Sequence, residues 1–332
     1  MVKRRTSIGS VTIAAALFSV LSLAAMACAW AQQPNRVPVI GLLMSSVAPH
    51  DPVLEALRAG LREQGYVEGQ NIRLEYRGAQ GNLDLLPSLA EELVRLKVDA
   101  IVVGNERTAR VAKEASASIP IVVSLYNYDP VAAGLIESFA RPGGNLTGVF
   151  TRTSELVGKR LEQLREMVPN LSRLAVFWDS LGQGELNELQ LAARSIGIDL
   201  QLMELRPPYD FDAAFKTAKQ NRADAVMVIA TPAFYVERVR LGTLALKYGL
   251  ATSSSFRDCT QAGGLISYGI EFPDAYYRLA YFIGRLLKGA KPSDLPFEQV
   301  TKFKLVVNLN TARSLGLTTP QSILLRADEI IR

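Results

Sequence analysis

Short, uninterrupted apolar runs alternate with amphipathic stretches from residue 37 onward, and the series begins again near residue 151. That double alternation is the tightest constraint on the fold. An apolar run of four to eight residues, bounded by turn residues, fits a strand buried on both faces. Helices between such strands give parallel sheets covered on each side. In the first series, residues 37–44, 71–76, 100–103, 119–125 and 146–150 read as strands. Asp51 supplies an N-cap before Pro52, and Val53, Leu54, Leu57, Gly60 and Leu61 recur at helical spacing up to Gly65. Leu86, Leu89, Ala90, Leu93 and Val94 mark a second helix, and residues 107–116 a third. A fourth is expected over 131–139, ended by Arg141-Pro142-Gly143-Gly144.

The second series opens with a helix at 156–168. Strands at 174–178, 199–205, 225–230 and 250–254 enclose helices at 186–196, 211–220 and 234–247. A strand at 264–268, a proline-started helix at 273–287 and a last strand at 302–308 complete it. The expected class is α/β, with two doubly wound parallel-sheet lobes, and a length of 332 residues suits two domains. Ligands of such sheets sit beyond the C-terminal strand ends. Two lobes facing each other would hold a ligand in the cleft between them.

Residues 1–31 read as a cleaved signal peptide. Lys3-Arg4-Arg5 is a cationic start, residues 8–27 are apolar, and Ala29-Trp30-Ala31 is a small-x-small cleavage pattern. The alternatives are an uncleaved anchor and a lipid-bearing start at Cys28. The net charge of +5 comes from 37 basic and 32 acidic residues, and three of the basic ones lie in that segment. The remainder is nearly balanced, which gives no reason to expect a nucleic-acid partner. Cleavage would leave Cys259 as the one cysteine, so no internal disulfide is expected.

Catalytic devices are not evident. His50 is the single histidine, so a His-based triad or metal site has little to be built from. Gly41 stands alone after the first strand, without a dinucleotide fingerprint. Gly143-Gly144 lacks the Lys and Ser/Thr of a phosphate loop. No cofactor, metal or catalytic residue is expected.

Several runs carry a family resemblance. Residues 65–72 (Gly-Tyr-Val-Glu-Gly-Gln-Asn-Ile), 140–148 (Ala-Arg-Pro-Gly-Gly-Asn-Leu-Thr-Gly), 262–269 (Ala-Gly-Gly-Leu-Ile-Ser-Tyr-Gly), 287–296 and 301–309 resemble, in order, one family of ABC transporter substrate-binding proteins. The resemblance covers nearly all of 37–332. It implies a type I periplasmic-binding-protein fold whose chain crosses between lobes three times. The crossings are placed near 149–153, 264–268 and 300–304. The N-terminal lobe would then be 37–150 plus 268–299, and the C-terminal lobe 151–267 plus 300–332. Some members of the family bind aromatic amino acids. Two loops depart from its pattern: Gly104-Asn105-Glu106-Arg107, and Tyr126-Asn127-Tyr128 before Asp129-Pro130.

Strand-end loops supply the candidate ligand-binding residues. In the first lobe these are Ser45, Ser46, Asn105, Glu106, Tyr126, Asn127, Tyr128 and Asp129. In the second they are Asp179, Ser180, Thr231, Ser255 and Phe256, with Thr151 and Tyr268 at crossings. Aromatic side chains can cover a ring, hydroxyls can hold a carboxylate, and Glu106 or Asp129 can hold an ammonium. Plainer roles stand beside these. Asp129 can cap a helix, Asn105 can close a turn, Glu106-Arg107 can be a solvated pair, and Tyr268 can be interlobe packing. The expected protein is a periplasmic, monomeric solute-binding component of an ABC importer. It would take an amino acid or similar small metabolite and meet a membrane permease. A ligand-sensing subunit for a membrane receptor and a carboxylate-based exported enzyme are the alternatives.

Overall fold

The structure is a computed structural model that describes residues 36–332 apart from Val47, Asn127, Arg152 and Thr153. The expected signal segment, Cys28 and the candidate Asn127 therefore lie outside the described residues. Val39–Arg332 forms one unit of the chain, and both sheets belong to it.

Strand β1 (Val39–Met44) is wholly buried, and helix α1 (Pro52–Glu63) comes next. The Asp51 carboxylate accepts from the Val53 amide and Pro52 opens the helix, as the Asp-Pro pair predicts. The first half continues through β2 (Arg73–Gly78), α2 (Leu86–Arg95), β3 (Ala100–Val103), α3 (Glu106–Ala115), β4 (Ile121–Tyr126) and β5 (Leu146–Thr151). The second half begins with α4 (Ser154–Met167), β6 (Arg173–Trp178), α5 (Gln183–Ile196), β7 (Asp199–Glu204), α6 (Phe211–Gln220) and β8 (Ala225–Val228). It goes on through α7 (Pro232–Val236), α8 (Arg238–Tyr248), β9 (Ala251–Ser254), α9 (Arg257–Gln261) and β10 (Ile266–Ile270). The last stretch holds α10 (Phe272–Leu287), β11 (Glu298–Gln299), β12 (Phe303–Asn308), α11 (Leu309–Ser314), α12 (Gln321–Arg326) and β13 (Glu329–Ile331).

These strands make two sheets, ordered β11-β5-β4-β3-β1-β2 and β13-β12-β10-β9-β8-β6-β7. Neighbours in both are parallel, except that β10 runs antiparallel to β12. Each sheet has helices on its faces, so each half is a doubly wound α/β lobe. The chain changes sheet between β5 and β6, between β10 and β11, and between β11 and β12.

Helix α10 comes after a strand of the second sheet but packs on α1 of the first lobe. Gly60 permits the approach. A Cβ on it would lie 2.6 Å from the Tyr277 carbonyl oxygen and 2.8 Å from the Ala280 Cβ. One apolar cluster runs from Ile40, Leu54 and Leu279 in the first lobe to Phe177, Phe211 and Phe215 in the second. The outer faces of the two sheets have clusters of their own, around Leu93 and Val123 and around Leu164 and Val176.

Two expected helices come out differently. Residues 131–139 form turns. The Asp129 carboxylate takes the amides of Val131 and Ala132, both Leu135 and Ile136 donate to the Pro130 carbonyl, and Gly134 lies at φ +67°. Left-handed backbone at that point stops a helix from propagating. The helix expected over 234–247 is instead two, α7 and α8, meeting at Glu237.

Candidate ligand-binding cleft

Strand ends from both sheets surround two adjoining cavities, of about 550 and 400 Å³, that share Ser180, Leu181 and Pro232. Sizes in this range suit small-molecule pockets. The larger chamber takes Ser45 and Ser46 after β1, Tyr76 of β2, and Asp179 after β6, with Tyr209 and Glu237 from the second lobe. The smaller takes Asn105, Glu106 and Arg107 after β3, Tyr126 and Tyr128 around the end of β4, and Thr231 after β8. Tyr235 of α7 and Phe272 and Tyr276 of α10 complete its wall.

Local bonding fixes these groups. Asn105 caps α3, its Oδ1 accepting from the Thr108 amide, while its Nδ2 donates to the Ser45 Oγ at 2.9 Å. The capping role and the place at the cavity are thus compatible. Arg110 of α3 pairs with Glu106 and donates through Nη2 to the Tyr128 hydroxyl at 2.8 Å, which holds that ring against the chamber. Tyr126 and Phe272 lie with ring centres 5.0 Å apart, and Phe272 and Tyr235 are 4.9 Å apart. Such spacings are those of favourable aromatic contacts.

Asp179 is 3% exposed. Its Oδ1 accepts from the Leu181 amide at 2.9 Å, and its Oδ2 accepts from Thr231 at 2.9 Å and Tyr209 at 3.3 Å. Burial nevertheless pushes this carboxyl above the usual carboxylate range. The Tyr209 phenol is pushed up to about 12, by burial first and by the Asp179 charge second, so it is a donor at neutral pH.

Behind the second lobe's strand ends lies a wholly buried ion pair. Arg160 of α4 binds Glu185 of α5 and also donates to Ser255, and Glu185 accepts from the backbone of Ala230, which lines the smaller chamber. Burial raises the Glu185 carboxyl against the pull of Arg160. The pair thereby ties the tips of β8 and β9 to two helices. Ser255 itself is 2% exposed and holds this pair from behind.

The two lobes also touch directly. Asp51 of the first lobe meets the Tyr235 hydroxyl at 3.4 Å and the Arg238 guanidinium at 3.5 Å. Arg238 keeps a second carboxylate in its own lobe, Asp258 at 2.6 Å, and lies 4.0 Å over the Tyr235 ring.

Of the candidates read from sequence, Ser45, Ser46, Asn105, Glu106, Tyr126, Asp179 and Thr231 come together on the cavity walls, as do Tyr128 and Ser180. Besides Ser255, which holds Arg160 from behind, four others are placed elsewhere. Asp129 binds the amides of the turn just after it. Thr151 is 2% exposed at the end of β5, beside Tyr126 in register. Phe256, also 2% exposed, packs behind the wall against Tyr235 and Phe272. Tyr268 packs on Phe303. Sequence reading missed Tyr76, Tyr235, Phe272 and Tyr276. The last two precede or occupy a helix whose return to the first lobe was expected, and that return was the available signal.

Comparison with known proteins agrees with this architecture. A family profile described as "ABC transporter substrate binding protein" matches residues 46–331. A "Tyrosine-binding protein" of Clostridioides difficile (strain R20291) is 24% identical over 290 residues, covering 82% of this chain and 80% of that protein. Among solved structures, an ABC domain from Streptococcus pneumonia in complex with L-Trp superposes with a TM-score of 0.78 at 23% identity, over 89% of this chain and 99% of that one. A conserved domain protein from Vibrio cholerae gives 0.80 at 24% identity, over 89% and 100%.

Proposed function

Since the chain belongs to the ABC transporter substrate-binding protein family, we propose that it is the extracytoplasmic solute-binding component of an ABC importer, a monomer exported through a cleaved signal at residues 1–31. It captures an amino acid or a similar small aromatic metabolite between its lobes and passes it unchanged to a membrane permease. The observation that carries this reading is the smaller chamber. Strand ends of two separate sheets supply its walls, and five aromatic side chains, Tyr126, Tyr128, Tyr235, Phe272 and Tyr276, converge there. An apolar ring can lose its water among them, while Asn105, Ser180 and Thr231 orient its polar end. The Tyr-binding relative and the L-Trp complex support a ligand of this kind.

The reading is tested by titrating the purified protein with amino acids, aromatic acids, nucleosides and sugars. The best aromatic ligand should lose about tenfold or more in affinity, roughly 1.4 kcal/mol, on Phe272→Ala and on Tyr126→Ala. Unchanged affinity in both variants would place the ligand elsewhere.

A further inference from the structure

The charges of the smaller chamber narrow the ligand class, on the premise that this chamber holds the ligand. We infer that the cleft is built for an aromatic carboxylate without an α-ammonium, the carboxylate at Arg107 and the ring against the wall made by Tyr126, Phe272 and Tyr235.

Among the described residues, two charged side chains line that chamber, Glu106 and Arg107. Glu106 is already neutralised by Arg110, one helical turn on in α3. Arg107 is exposed and has neither an ion pair nor a hydrogen bond among the described residues. The described wall of the chamber therefore presents one uncompensated positive charge, at Arg107. Other acids around the cleft are engaged too. Asp179 accepts from Leu181, Thr231 and Tyr209, Asp51 meets Tyr235 and Arg238, and Glu237 pairs with Arg240.

The two halves of an amino acid fare differently here. A carboxylate at Arg107 gains charge-assisted hydrogen bonds at the edge of a chamber walled by aromatic rings. An ammonium beside it gives up its hydration to find a carboxylate already paired, and it sits next to a like charge. The ring contributes the same in both cases, so the α-ammonium decides between them.

Matched pairs isolate that group. Calorimetric titration compares 3-phenylpropanoate with L-phenylalanine, 3-(4-hydroxyphenyl)propanoate with L-tyrosine, and indole-3-propanoate with L-tryptophan. In at least one pair the acid is expected to bind tenfold or more tighter than its amino acid. Arg107→Gln should cut the affinity for that acid at least tenfold and leave the matching neutral amide within twofold, and Arg107→Lys should restore part of the loss. If the amino acid equals or exceeds the acid in every pair, the inference falls while the cleft reading stands. If the acids win but Arg107→Gln changes nothing, the assignment to Arg107 is wrong. If none of the six compounds binds, the inference falls, and the wider panel with Phe272→Ala and Tyr126→Ala decides the cleft reading on its own.

Discussion

Asp179 carries a carboxyl that burial holds above its ordinary value in spite of three donors. A carboxyl raised by folding favours the native state in its protonated form. Its contribution is complete below the unfolded value, about 4, and is lost as pH rises through the folded value. Asp179→Asn should therefore gain stability relative to the parent chain between about pH 4 and pH 7. Urea unfolding at both pH values checks this, and a constant difference between the two proteins rejects it. The buried Arg160–Glu185 pair gives a larger effect. Glu185→Leu strands a guanidinium without its carboxylate, and the loss should be about 3–5 kcal/mol by the same measurement. A loss under about 1 kcal/mol would mean that Arg160 escapes to water or to Ser255 alone. At this scale the site was half legible. The positions of Ser45, Asn105, Asp179 and Thr231 follow from where strands end, and strand ends can be read from apolar runs. Direction cannot be read that way. Thr151 and Phe256 also stand at or just past strand ends, yet both are 2% exposed and neither lines either chamber.

Elements were legible wherever periodicity ran long enough. The parallel strands and α1, α2, α5, α6 and α10 show their apolar stripes plainly, and caps such as Asp51-Pro52 mark where helices start. Short pieces were not. Strands β11 and β13 hold two and three residues, too few for any period to show, and they exist because neighbouring strand edges recruit them. Residues 131–139 carry helix-compatible side chains, but Asp129 and Gly134 wind them into turns. The junction of α1 with α10 yields a prediction of its own. Since a Cβ at Gly60 would meet the backbone carbonyl of Tyr277 at 2.6 Å, no side-chain rotation can relieve the contact. Gly60→Val should cost about 1–3 kcal/mol in urea unfolding. An unchanged midpoint would mean that the two helices slide apart freely.

On the scale of the whole molecule, the contact of Asp51 with Tyr235 and Arg238 joins the lobes across the cleft. Arg238 retains Asp258 within its own lobe, so a separation of the lobes would strand no cation, and the contact would favour their joined arrangement without locking it. Asp51→Asn keeps a capping oxygen for α1 but removes the charge. It should increase the radius of gyration of the free protein in solution scattering and weaken ligand binding about tenfold. Identical scattering and affinity would show that the contact has no part in closure. The return of α10 to the first lobe has a consequence for manufacture. Leu54, Leu57 and Leu61 of α1 are buried in the finished protein, in one cluster with Leu279 and Ile283 of α10, a helix that ends at Leu287. Most of the polypeptide must therefore be synthesised while a greasy ridge made near its beginning waits for cover. Order of birth and order of assembly disagree, and a holding chaperone that shields the nascent chain would find its natural grip there.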